Sequence, residues 1–66
     1  MKVYINDKEI DFALPTSLAE AIASQGIKPQ GIATAVNGTV IPATQREETK
    51  LSEGDKIVII KAFYGG

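Results

Sequence analysis

Met1, Val3 and Ile5 alternate with Lys2, Tyr4 and Asn6, and a period of two is the pattern of a strand with one face buried. Asn6, Asp7 and Lys8 then supply a turn. Ile10 and Phe12 alternate with Glu9 and Asp11, so the chain is expected to open as a β-hairpin that Pro15 brings to an end. Ser17 followed by Glu20 fits a capping box, in which hydroxyl and carboxylate each satisfy a free backbone N–H at a helix start. The apolar positions Leu18, Ala21 and Ile22 predict a helix over about 18–25, closed by Gly26 in the left-handed conformation. Ile32–Val36 reads as a third strand, Asn37-Gly38 as a two-residue hairpin turn, and Thr39–Ile41 as the returning strand, stopped by Pro42. Residues 43–50 have no period and are expected to be irregular with a short 3-10 turn. After a turn at Glu53, Gly54 and Asp55, residues 56–63 form the last strand, and Tyr64, Gly65 and Gly66 remain as a tail.

The order is ββαββ(3-10)β in one domain spanning 1–66. It predicts an α+β fold with one main helix on one face of a mixed sheet and a flexible Gly-Gly tail. If the last strand lies parallel to the first, the intervening chain provides the crossover that parallel pairing requires. That last strand has more apolar residues than a one-sided sheet needs, because Ile57, Val58, Ile59 and Ile60 are consecutive. With Val3, Ile5, Ile57 and Ile59 turned to the helix, Tyr4, Val58, Ile60 and Ala62 form a patch on the open face. The alternative is a strand buried on both sides. One helix leaves little to cover the second face, so a partner surface is the favoured reading.

Composition narrows the chemistry. Sixty-six residues stand near the lower limit for a fold held by its core alone, so a deep catalytic cleft is not expected. A net charge of -1 gives no basic stripe for nucleic acid. No apolar stretch is long enough to span a bilayer and no signal-peptide pattern opens the chain, so a soluble, cytoplasmic protein is expected. Cysteine and histidine are both absent, which removes thiolate metal sites, disulfides and the commonest general base. The carboxylates of Asp7, Asp11, Glu47, Glu48, Glu53 and Asp55 fall in turns or polar segments and read as solvated surface. Gly31 and Gly38 lack the spacing of a phosphate-binding loop, and Arg46 and the lysines are scattered. Neither a metal nor a bound cofactor is expected. The remaining candidate is the end of the chain: Gly65-Gly66 reads either as a frayed terminus or as a carboxylate able to thread a narrow enzyme channel, since glycine permits close approach and unusual backbone angles.

Several segments together carry a resemblance over essentially the whole chain. They are Val3, Tyr4, Ile5 and Asn6 in the opening strand; Ser17, Leu18, Ala19 and Glu20 at the helix start; Val36, Asn37, Gly38, Val40, Ile41 and Pro42 in the hairpin; the turn from Leu51 through Asp55; and Gly65-Gly66. In these the sequence resembles the thiamine-biosynthesis sulfur carriers (ThiS) of the ubiquitin-like β-grasp superfamily. The resemblance implies a carrier rather than an enzyme, with Gly66 as the reacting residue and Gly65 giving it access. It implies that a ubiquitin-activating-like adenylyltransferase (ThiF), using ATP and magnesium, makes an acyl-adenylate on Gly66. Sulfur from a donor enzyme then replaces AMP, and the thiocarboxylate serves thiazole synthase (ThiG). Tyr4, Val58, Ile60, Phe63 and Tyr64 are the candidate partner-binding residues. Competing readings are a molybdopterin-synthase sulfur carrier (MoaD-like), a protein modifier joined through Gly66, and a ubiquitin-like interaction module that uses only the patch. The chain departs from the family pattern at Ala43 and Arg46, where many relatives carry a basic residue and an aromatic, and at Tyr64, where a small or polar residue is more usual.

Overall fold

The computed structural model of the chain describes residues 1–13 and 15–61. Within them the order is β1 (Lys2–Ile5), β2 (Lys8–Asp11), α1 (Leu18–Ser24), β3 (Ile32–Val36), β4 (Thr39–Ile41), a 3-10 turn (Ala43–Gln45) and β5 (Lys56–Lys61). The expected extension of the last strand through Ala62 and Phe63 lies outside the described residues. One five-stranded sheet has the order β2-β1-β5-β3-β4. β1 runs parallel to β5 and every other pairing is antiparallel, as the β-grasp expectation requires.

Local chemistry accounts for the turns. Asn6 and Asp7 hold φ of 49° and 67°, and Asn37 and Gly38 hold 51° and 83°. Positive φ at both central residues is what a two-residue hairpin of this hand needs, and asparagine, aspartate and glycine tolerate it best. α1 stops one residue earlier than its pattern suggests, with Gln25 as C-cap and Gly26 at φ 71°.

The start of α1 shows where its free donors go. Glu20 N–H donates to Ser17 Oγ at 3.2 Å and Ser17 N–H donates to Glu20 Oε1 at 3.0 Å, the expected capping box. Leu18 N–H donates to Thr49 O at 2.8 Å and Ala19 N–H to Arg46 O at 3.1 Å. The segment without a period is therefore a cap: it supplies the carbonyls that the first turn cannot find within the helix. The Ser17 backbone N–H, then its hydroxyl, and lastly the Lys50 charge hold the Glu20 carboxyl below its ordinary value, against a smaller opposing effect of desolvation.

Val3, Ile5, Leu18, Ala21, Ile22, Leu51, Ile57 and Ile59 form the core between α1 and the sheet. These include all four residues expected to face inward from β1 and β5, and each fully buried Leu, Ile or Val contributes about 1.5–3 kcal/mol. Met1, Ile10, Phe12, Ile27, Ile32, Val36 and Ile41 pack around its margin. Thr34 and Arg46 are buried polar members of this side. Arg46 donates from Nη1 to Pro29 O at 2.9 Å, from Nη2 to Ile32 O at 2.8 Å and from Nε to Thr34 Oγ1 at 3.2 Å. An arginine that reads in the sequence as one more scattered cation instead fastens the 3-10 turn to β3 and to the segment leading into it.

Candidate functional site

The uncovered face of the sheet follows from strand register. Along β5, Ile57 and Ile59 turn inward, while Val58 and Ile60 are 46% and 60% exposed. The alternative of a strand buried on both faces is thereby set aside. Cross-strand partners share a face. Val58 stands opposite Ala35, which stands opposite Val40, and Ile60 stands opposite Ala33. Val40 is 71% exposed. The apolar surface is thus a band across β5, β3 and β4, in which the two small alanines of β3 form a shallow floor between larger side chains.

Tyr4 lies on the same face but at the margin of the band. It is half-buried and pairs with Lys56 on one side and Glu9 on the other. Beyond it the face becomes charged: Lys2 Nζ lies 4.0 Å from Glu9 Oε2, and the Met1 amino group lies 3.3 Å from Asp11 Oδ1. The open face therefore has a polar half on β2 and β1 and an apolar half on β5, β3 and β4. Sequence reading finds Val58, Ile60 and Tyr4 but misses Val40. In Thr39, Val40 and Ile41 the alternation requires one of the two large residues to face outward, which is the signal that could have found it.

Two of the carboxylates read as surface hold turns. Glu53 accepts the Lys2 N–H at 3.0 Å. Asp55 accepts from Asn37 Nδ2 at 2.9 Å and from Ser52 N–H at 2.8 Å. On the covered side, α1, the segment before β3 and the 3-10 turn enclose a cleft of about 840 Å³ that includes Ile22, Ile27, Ile32 and Arg46 in its lining. It is mainly apolar, and the three Arg46 nitrogens already donate to groups of the protein. Among the described residues, no cluster of acidic side chains is placed to hold a metal ion, and no helix is long and apolar enough to cross a membrane. Phe63, Tyr64, Gly65 and Gly66 lie outside the described residues.

Comparison with known proteins bears on this arrangement. No curated protein matches the sequence significantly. The fold is similar to the crystal structure of a thiamine biosynthesis protein (ThiS) from Geobacter metallireducens, with a TM-score of 0.81, 22% identity, and coverage of 100% of this chain and 99% of that one. It is also similar to the NMR solution structure of a thiamine biosynthesis protein from Geobacter metallireducens, with a TM-score of 0.79, 20% identity, and coverage of 100% and 88%. The model of the ThiS family matches residues 2–66, which takes in every strand, the helix and the glycine pair, and the chain belongs to that family.

Proposed function

We propose that this chain is a cytoplasmic sulfur carrier of thiamine biosynthesis, that its reacting group is the Gly66 carboxylate, and that the apolar half of the open face receives the enzymes that act on it. A carboxylate is a poor electrophile until its oxygen joins a good leaving group. Attack of that carboxylate on the α-phosphorus of ATP releases pyrophosphate and leaves an acyl-adenylate. Replacement of AMP by sulfur then gives a thiocarboxylate, which passes its sulfur to thiazole synthase. The catalytic groups, ATP and magnesium belong to the partner adenylyltransferase. Gly65 keeps the approach to Gly66 free of a side chain.

The observation that supports this reading most directly is the exposed band on β5, β3 and β4, on a strand that leads in sequence to Gly65-Gly66, in a chain of the ThiS family. The test is incubation with adenylyltransferase, ATP, magnesium and a sulfur donor, followed by intact mass. One terminal oxygen should be replaced by sulfur, and deletion of Gly66 should abolish this while leaving thermal stability nearly unchanged. An intact chain that never acquires sulfur from a competent partner would leave only the interaction-module reading, which needs no free Gly66.

A further inference from the structure

β5 is gripped by two asparagines, each the first residue of a hairpin turn. Asn37 acts on the β3 side, where its N–H donates to Lys56 O at 2.8 Å and its Oδ1 accepts the Lys56 N–H at 3.0 Å. Asn6 acts on the β1 side. Its Nδ2 donates to Ile59 O at 3.2 Å and its Oδ1 accepts the Ile59 N–H at 2.8 Å. A carboxamide carries the donor and acceptor of a peptide group, so each side chain adds to the ladder where the neighbouring backbone turns away.

The two grips differ in what else holds the strand. Lys56 has backbone partners on both sides, with Tyr4 opposite it on β1 and the Asn37 N–H bonded to its carbonyl. Between β1 and β5, Tyr4 N–H donates to Asp55 O and Asn6 N–H to Ile57 O, each at 2.9 Å, and the register ends at Ile57. The next β5 groups on that side, the Ile59 N–H and C=O, are taken by the Asn6 side chain. The turn itself does not need a carboxamide. Asn6 and Asp7 sit at φ 49° and 67°, which glycine or aspartate also tolerates. The bonds to Ile59 tie the opening hairpin to β5 between Val58 and Ile60, the outward residues of the apolar band.

We propose that Asn6 is a positioning residue for adenylation: by pinning the Ile59 peptide it fixes the course of β5 past the docking band. An enzyme seated on Val58 and Ile60 then meets the strand that leads in sequence to Gly66 in one direction. This rests on the sulfur-carrier reading and deepens it. Placement of a reacting group supplies much of a rate enhancement, and a displacement of about 1 Å made far from the chemistry can cost on the order of a hundredfold.

The test is steady-state adenylation of the full chain by its adenylating enzyme with ATP and magnesium, read as pyrophosphate release, at a temperature where circular dichroism shows each variant folded. Asn6→Gly keeps the turn and removes the carboxamide. Its kcat should fall about tenfold, while KM for the carrier stays within about twofold because docking on the band is retained. The Ile59 amide should exchange faster in this variant. Asn37→Gly makes the same change at Lys56, keeps the backbone N–H that holds that residue, and should retain the parent kcat. If Asn6→Gly does not fold, Asn6→Asp decides: it accepts the turn but sets an oxygen against Ile59 O, and kcat should fall in the same way. Parent-level kcat in a folded Asn6 variant, or an equal loss in Asn37→Gly, would overturn the positioning role and leave the carrier reading standing. Failure of the parent chain to be adenylated at all would overturn both.

Discussion

The covered and open faces of the sheet are built from the same kinds of residue. Ile57 and Ile59 meet α1 and disappear from solvent, whereas Val58 and Ile60, interleaved with them, remain largely exposed. Residue type cannot be the cause. A helix of seven residues is about 10 Å long, and five strands spaced about 4.8 Å apart are roughly twice as wide. Even with the segment from the 3-10 turn to Leu51 laid beside it, α1 serves one face only. The second face keeps Val40, Val58 and Ile60 in solvent, and it is this apolar patch that we propose receives the partner enzymes. The other half of that face carries Lys2, Glu9 and Asp11 at the corresponding outward positions.

Substitution should separate the two faces sharply. Ile57→Ala should destabilise the fold by about 2–5 kcal/mol, the transfer and cavity cost of a buried isoleucine. Ile60→Ala, three residues along on the other face, should stay within about 0.5 kcal/mol, as exposed substitutions usually do. Urea unfolding followed by circular dichroism measures both. Ile60→Asp and Val40→Asp should also fold, yet weaken the complex with the adenylating enzyme by about 2 kcal/mol or more if they are central anchors. Unfolding of Ile60→Asp would assign that residue to the core, and unimpaired binding by both variants would move the partner surface elsewhere.

The covered face was the more legible in the sequence. The period-two alternation in β1, the capping box and the glycine after α1 all report on near neighbours along the chain. The open face was half legible. The run from Ile57 to Ile60 betrays an outward patch, but its extension over Ala33, Ala35 and Val40 depends on β3 lying between β5 and β4, which strand order decides and local pattern does not. Arg46 was illegible for a different reason: its partners are backbone carbonyls and one threonine, and carbonyls leave no trace in a sequence. Arg46→Ala should cost about 2 kcal/mol, since it strips buried groups of their donors. Arg46→Lys should recover only part, because an ammonium cannot reproduce the fork. With Thr34→Val as the second change, a double-mutant cycle should show coupling of about 0.5–1.5 kcal/mol; strict additivity would mean that the two side chains act independently.

The smallest expected effect lies at the start of α1, where the covered face is tied to its own crossover. Ser17→Ala removes the hydroxyl that accepts the Glu20 N–H and should cost about 1 kcal/mol. Its second consequence is a titration. The leading cause of the lowered Glu20 pKa is the Ser17 backbone N–H, with the hydroxyl second, and alanine keeps that N–H. The Glu20 carboxyl in Ser17→Ala should therefore move only part of the way back to the ordinary carboxylate range, as followed by carbon-13 chemical shift. A group whose pKa is lower folded than unfolded adds stability that is complete above the unfolded value, near 4.3 for glutamate, and disappears as pH falls through the folded value. Stability measured from pH 7 down to pH 5 should thus be insensitive to Glu20. Below that, Glu20→Gln should lose less than the parent chain, because it has no carboxylate left to protonate. A Glu20 that titrates at its ordinary position in the parent, or that returns fully to it in Ser17→Ala, would mean that the backbone N–H is not what holds the carboxylate in its charged form.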